Sequence, residues 1–295
     1  MRSRSRRSIG VLAILVATAA ASALIAGCGG GGNSSAATLS LKISESGKTS
    51  SYQQVPKSAT GGLVEVSLKN EGKAPHGVEF IQYTEGHSLA DVLKELAAES
   101  EKIPDWVKLQ GGIGSVPGGQ TQSAVVNLPA GNYVLVDAAA LGEPSGGGGP
   151  PATAPMELKG GESGELPETP ATITAANPAK DKYKWELSGL KTGKNEITFN
   201  AKGKEAVHLI IAVPLKGKVP PKSQIEKDLG SEGPPPSYVE PEGIQTSAIL
   251  DGGASQTTTI ELKKPGKYLF FCPLSDRDGG KPHYKEGLLK VETVK

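Results

Sequence analysis

One strand-and-turn pattern occurs twice in this chain, and it constrains the fold more than any other feature. Gly62-Leu63-Val64-Glu65-Val66-Ser67-Leu68 precedes Gly72-Lys73-Ala74-Pro75-His76, and Gly193-Lys194-Asn195-Glu196-Ile197-Thr198-Phe199 precedes Gly203-Lys204-Glu205-Ala206-Val207-His208. Gly131-Asn132-Tyr133-Val134-Leu135-Val136-Asp137 matches Gly266-Lys267-Tyr268-Leu269-Phe270-Phe271-Cys272 in the same way. His76 and His208 are 132 positions apart, and Tyr133 and Tyr268 are 135 apart. A nearly constant offset at several landmarks indicates tandem duplication of one unit. Each copy is about 120 residues long, enough for a core of its own.

Within each copy, short runs alternate apolar and polar residues between Gly/Pro turns, the pattern of a β-sandwich. Leu39-Ser40-Leu41-Lys42-Ile43 does so, as do residues 63–68, 76–82, 122–128 and 132–137. Residues 88–99 break the alternation. Leu89, Val92, Leu93 and Leu96 fall at helical spacing behind a Ser88/Asp91 capping box, which predicts one helix inserted in the first copy. The 39 glycines and 22 prolines supply the turns, and residues 142–155 form a Gly/Pro-rich loop.

The N-terminus is expected to be a targeting segment. Arg2, Arg4, Arg6 and Arg7 precede an apolar stretch at 9–26, and Leu24-Ile25-Ala26-Gly27-Cys28 leads into a Gly/Ser-rich run. This stretch resembles a bacterial lipoprotein signal, which implies lipidation of Cys28 and a protein held on the outer side of the cell membrane. An ordinary signal peptide or a membrane-spanning anchor would use the same basic and apolar segments. Removing the signal leaves 28 basic against 31 acidic residues, and that near balance argues against a nucleic-acid partner. With Cys28 committed to lipid, Cys272 is the one remaining thiol. An exported thiol without a disulfide partner is expected to be buried or bound to something.

Three residues of the second copy can serve a metal. His208 opens an apolar strand, Cys272 ends another, and His283 lies in the loop before a final strand at 288–294. In a sandwich these strand ends can meet at one pole. Two imidazoles and a thiolate make the equatorial set of a blue-copper site. Taken singly, each reads more readily as a buried thiol or an ordinary loop histidine, and only the three together point to a metal. Tyr284, Asp276 and Asp278 read as solvated loop residues.

The run Gly266-Lys267-Tyr268-Leu269-Phe270-Phe271-Cys272, then Pro282-His283, then Gly287-Leu288, resembles the C-terminal motif of the cupredoxins, with His208 as the upstream histidine. The resemblance covers 172–295 with its metal motif and 39–158 as fold only. It implies an all-β protein of two tandem Greek-key sandwiches. It also implies one type 1 copper on His208, Cys272 and His283, and one-electron transfer with a redox partner protein. Three features depart from the family pattern. Ten residues separate Cys272 from His283, Leu288 replaces the usual axial methionine, and Leu209 replaces the asparagine that often braces the ligand loop. Leu288 is therefore read as an axial neighbour that does not ligate.

In the first copy Asp137 stands at the Cys272 position, and no histidine occurs between His87 and His208. That copy is expected to bind no copper, and His87 reads as a surface or capping residue. The expected boundaries are a signal at 1–27, a tether at 28–38, a metal-free domain at 39–158, a linker at 159–171 and the copper domain at 172–295. Four histidines in all are too few for a trinuclear cluster or a second His-rich copper, so the chain is expected not to be an enzyme. Two rival readings keep the same residues: a copper storage or delivery protein, and a metal-free binding module.

Overall fold

Leu39, Leu41 and Ile43 are buried while Ser40 is exposed and Lys42 only half-buried, so the first strand lays one face on a core, as its period of two requires. The computed structural model describes residues 36–47, 49–98, 102–140, 151–231 and 234–295. The signal, Cys28, most of the tether and most of the Gly/Pro-rich loop lie outside the described residues. Among the described residues no helix is long and apolar enough to cross a membrane.

The first half runs β1 (Ala37–Ser46), β2 (Thr49–Gln53), β3 (Ser58–Thr60), β4 (Gly62–Asn70), β5 (His76–Tyr83), α1 (Leu89–Ala97), β6 (Val107–Val116), β7 (Thr121–Leu128), β8 (Gly131–Val136) and β9 (Thr153–Lys159). The second runs β10 (Ala171–Ala179), β11 (Lys182–Ser188), β12 (Gly193–Ala201), β13 (Val207–His208), β14 (Ile211–Leu215), α2 (Lys222–Leu229), β15 (Gln245–Thr246), β16 (Leu250–Asp251), β17 (Ser255–Leu262), β18 (Gly266–Phe271), α3 (His283–Glu286) and β19 (Leu289–Val294). The fold is all-β, as expected, and α1 starts on the anticipated capping box, with the Ser88 side chain accepting from the Asp91 N–H. The helix is not peculiar to the first half: α2 occupies the corresponding place in the second.

The two halves share one eight-stranded sheet, ordered β11-β10-β12-β17-β7-β4-β1-β2. It reads the same from both ends. β1 runs parallel to β4 and β10 parallel to β12, each outer pair is antiparallel, and β7 meets β17 antiparallel at the centre. This order is the duplication seen in the backbone. A second sheet covers the first half in the order β13-β16-β6-β5-β8-β9-β3, and a third covers the second half in the order β15-β14-β18-β19.

One core fills the first half around Ile43, Val66, Leu68, Phe80 and Tyr133, and another fills the second around Ile173, Ile197, Phe199, Phe270 and Leu288. Strand β18 is buried on both faces. Tyr268 and Phe270 point into the second-half core, and Cys272 continues that register. Leu269 and Phe271 point the other way, under α2 and Tyr284.

Candidate metal centre

Alternation along β18 delivers the Cys272 side chain into the core, and the backbone beyond it is held by α3. The Cys272 N–H donates to the Leu288 carbonyl (3.1 Å), and the Tyr284 N–H donates to the Cys272 carbonyl (2.9 Å). His283 is the first residue of α3 rather than a loop residue, because Pro282 starts the turn and the His283 N–H donates to the Leu274 carbonyl at 2.7 Å. Gly287 closes that turn at φ 128°, where a Cβ would collide with the Tyr183 carbonyl. The glycine thereby lets α3 sit directly on β11. His208 ends β13, paired with Leu250.

The structure brings together the three residues singled out from the sequence. His208, Cys272 and His283 are each fully buried, and one donor atom from each lies within 4.8 Å of the other two. Cys272 Sγ is 3.6 Å from His283 Nδ1. Donors held about 2.0–2.3 Å from one ion lie roughly 3.5 Å apart, so this spacing suits a shared metal. His208 Nε2 donates to the Lys202 carbonyl at 2.9 Å, which leaves Nδ1 as the free lone pair. That Nδ1 is buried and has no hydrogen-bond partner. An orphaned buried acceptor beside a thiol and a second imidazole fits the donor set of a metal site.

The electrostatics agree. Burial pushes the Cys272 thiol up to about 12, although the Leu209 and Leu274 N–H groups aimed at the sulfur oppose the shift. Burial and the neighbouring His283 push His208 down to about 4, and burial also lowers His283. The three groups are therefore neutral by themselves, and a cation is what would ionise the thiol. Leu288 is fully buried in the same core cluster as Cys272.

Sequence reasoning missed the surroundings. Asp276, read as a solvated loop residue, instead lies 3.1 Å from His283 Nε2 and accepts from the Tyr183 hydroxyl at 2.6 Å. The Tyr183 ring packs against both imidazoles, with centroids 5.2 Å from His208 and 4.5 Å from His283. Tyr284 is also no solvated residue: it is buried, edge-on to Phe271. Leu209 braces the site through its backbone N–H, a role that its side-chain type could not disclose. His87 is exposed and stacks on Trp106 at 4.1 Å.

No protein-family model and no curated protein matches the chain. Fold and site together have the form of tandem cupredoxin-like sandwiches with a His–Cys–His cluster in the second. Among solved structures, the chain is similar to a dithionite-reduced auracyanin from Roseiflexus castenholzii, at 20% identity and TM-score 0.28 over 42% of this chain and 98% of that one. It is similar to a multicopper oxidase at 13% identity and TM-score 0.24, over 88% of each chain. A copper nitrite reductase from Nitrosomonas europaea matches at 12% identity and TM-score 0.27, over 88% of this chain and 94% of that one. At these scores the likenesses do not define this chain's activity, and the assignment of its site rests on its own geometry. They do correct one expectation. Enzymes stand among the similar structures, so the expectation of a non-enzymatic chain is withdrawn.

Proposed function

We propose that this chain binds one copper ion as a type 1 site and passes single electrons to and from a partner protein. The unpaired, buried Nδ1 of His208, set beside Cys272 Sγ and His283 Nδ1, carries the proposal. His208, Cys272 and His283 would hold the ion, with Leu288 as the axial neighbour that does not ligate. Bound copper supplies a one-electron couple. The protein supplies a dry, fixed pocket, because the Lys202 carbonyl orients one imidazole and Asp276 the other. Full burial of all three ligands favours retention of the ion, and hence electron carriage over copper delivery.

The location belongs to the same proposal. Lipidated Cys28 would tether the folded part to the outer side of the cell membrane, where an extracytoplasmic redox protein would be its partner. The tandem boundaries at 39–158 and 172–295 would separate a structural half from a copper half. Copper(II) titration followed by visible absorption tests the core of the proposal. An intense thiolate-to-copper band that saturates at one ion per chain is expected, and its absence would overturn it.

A further inference from the structure

We propose that the first half of the chain is a rack for the metal site of the second, and that Arg277 is the positioning residue through which it acts. This inference rests on the copper proposal and extends it to the half that has no ligands. Arg277 lies in the ten-residue loop between Cys272 and His283, next to Asp276. Its side chain is only 6% exposed. The guanidinium donates to the Pro104 carbonyl (3.2 Å) and the Val107 carbonyl (2.9 Å) of the first half, and pairs with Asp251. Asp251 in turn accepts from the Leu109 N–H at 3.1 Å. The Arg277 carbonyl accepts from the Ile103 N–H at 2.8 Å, and its own N–H donates to the Glu205 carbonyl at 2.9 Å, three residues before His208.

One loop residue thus joins the start of β6, strand β16 and the approach to the upstream ligand. His208 is also reached by a second route. His208 pairs with Leu250 in β16, and Leu250 pairs with Gln110 in β6. Both histidines therefore lie a short step from the same first-half strand. The loop contains Gly279-Gly280, and its own bonds are a turn from the Gly279 N–H to the Asp276 carbonyl and a Ser275 hydroxyl contact to Gly280. Tyr183 of β11 holds the Asp276 side chain, and Arg277 is the anchor that ties the loop itself to the first half. A planar guanidinium suits the task because it satisfies a carboxylate and two carbonyls together, which an ammonium cannot do in the same geometry.

The test compares the full chain with Arg277→Lys, which keeps the charge but loses the fork. The double variant Arg277→Met/Asp251→Asn removes both charges, so that no buried charge is left unpaired. Leu41→Ala, in the first-half core, is the control for a general loss of stability. Three quantities are read: the visible and paramagnetic spectra of the copper(II) protein, copper loss to a chelator, and amide exchange of residues 274–281 without metal. Both Arg277 variants should show altered spectra, copper loss faster by about tenfold, and faster loop exchange. Leu41→Ala should keep the parent spectrum. Parent-like spectra and retention in either Arg277 variant that folds would overturn the inference alone. A parent chain without the thiolate band would overturn the copper proposal beneath it.

Discussion

His76 Nδ1 lies 2.6 Å from Asp137 Oδ2, at the positions where the second half has His208 and Cys272. The remaining groups are also occupied. His76 Nε2 meets Glu45 at 3.1 Å, and the second Asp137 oxygen accepts from the Gly77 N–H at 2.8 Å. Both imidazole nitrogens are committed, so the first half closes its pole with an internal His–carboxylate pair and leaves no free imidazole nitrogen for a metal. His76→Ala in the full chain should therefore leave copper stoichiometry and colour unchanged. It should cost about 1–3 kcal/mol in denaturant unfolding, because Asp137 Oδ2 loses its buried partner while Oδ1 keeps the Gly77 and Ala139 N–H groups. Loss of copper from this variant would mean that the first half does hold metal.

Cys272 predicts a proton count. A thiol pushed up to about 12 is protonated at neutral pH, and histidines held below their usual range carry no proton to release. Copper(II) uptake at pH 7 should then release about one proton per chain, measured with an indicator dye in weak buffer. Cys272→Ser should abolish both that proton and the visible band. Uptake without proton release would show that the thiol is not a ligand.

Asp276 should matter through His283. A carboxylate on the far nitrogen of a ligating imidazole fixes its orientation and raises its basicity, and its loss typically weakens metal affinity about 10–100-fold. Asp276→Ala should show a loss of that order in competition with a chelator. Asp276→Asn, which keeps an acceptor but not the charge, should fall between it and the parent. Tyr183→Phe, one bond farther out, should have the smaller effect. Equal affinities across the series would remove Asp276 from the site.

The duplicated strands, the helix at α1 and the three clustered residues were legible because each leaves a local mark. Period-two alternation, a capping box and the Gly-Lys-Tyr-Leu-Phe-Phe-Cys run need no knowledge of the rest of the chain. Asp276 and Arg277 were not legible. Their roles depend on Tyr183, Pro104 and Val107, which are 93, 173 and 170 residues away, and nothing in a Ser-Asp-Arg-Asp loop points to such partners. The continuous sheet was hidden for the same reason. Pairing of Gln256 with Val126 is a long-range choice between two strand edges that each look complete alone.

The metal-free chain should lose stability as the pH falls from about 6.5 to about 4. His208 is held near 4 in the folded state, whereas an unfolded histidine titrates near 6.5. Between those values the unfolded chain binds a proton that the folded chain refuses, so stability rises with pH across the window. His283 is shifted in the same direction. Thermal melts at pH 7 and pH 4.5 should show a smaller drop in His208→Asn than in the parent. An equal drop would place the acid sensitivity elsewhere.

Leu288 decides the redox potential if it faces the ion. It shares the core cluster of Cys272, whereas Leu289 belongs to the cluster on the other side of the third sheet. With no axial donor, copper(I), the softer and less charged state, is relatively favoured, and the potential should be high. Leu288→Met would offer a weak thioether that stabilises copper(II) more, so its potential should fall. The two side chains have similar volumes, so the substitution should cost less than about 1.5 kcal/mol. Leu289→Met changes the same atoms on the opposite face and should leave the potential where it was. Voltammetry of the two variants separates an axial effect from a packing effect. A Leu288→Met potential that equals or exceeds that of the parent would remove Leu288 from the axial position.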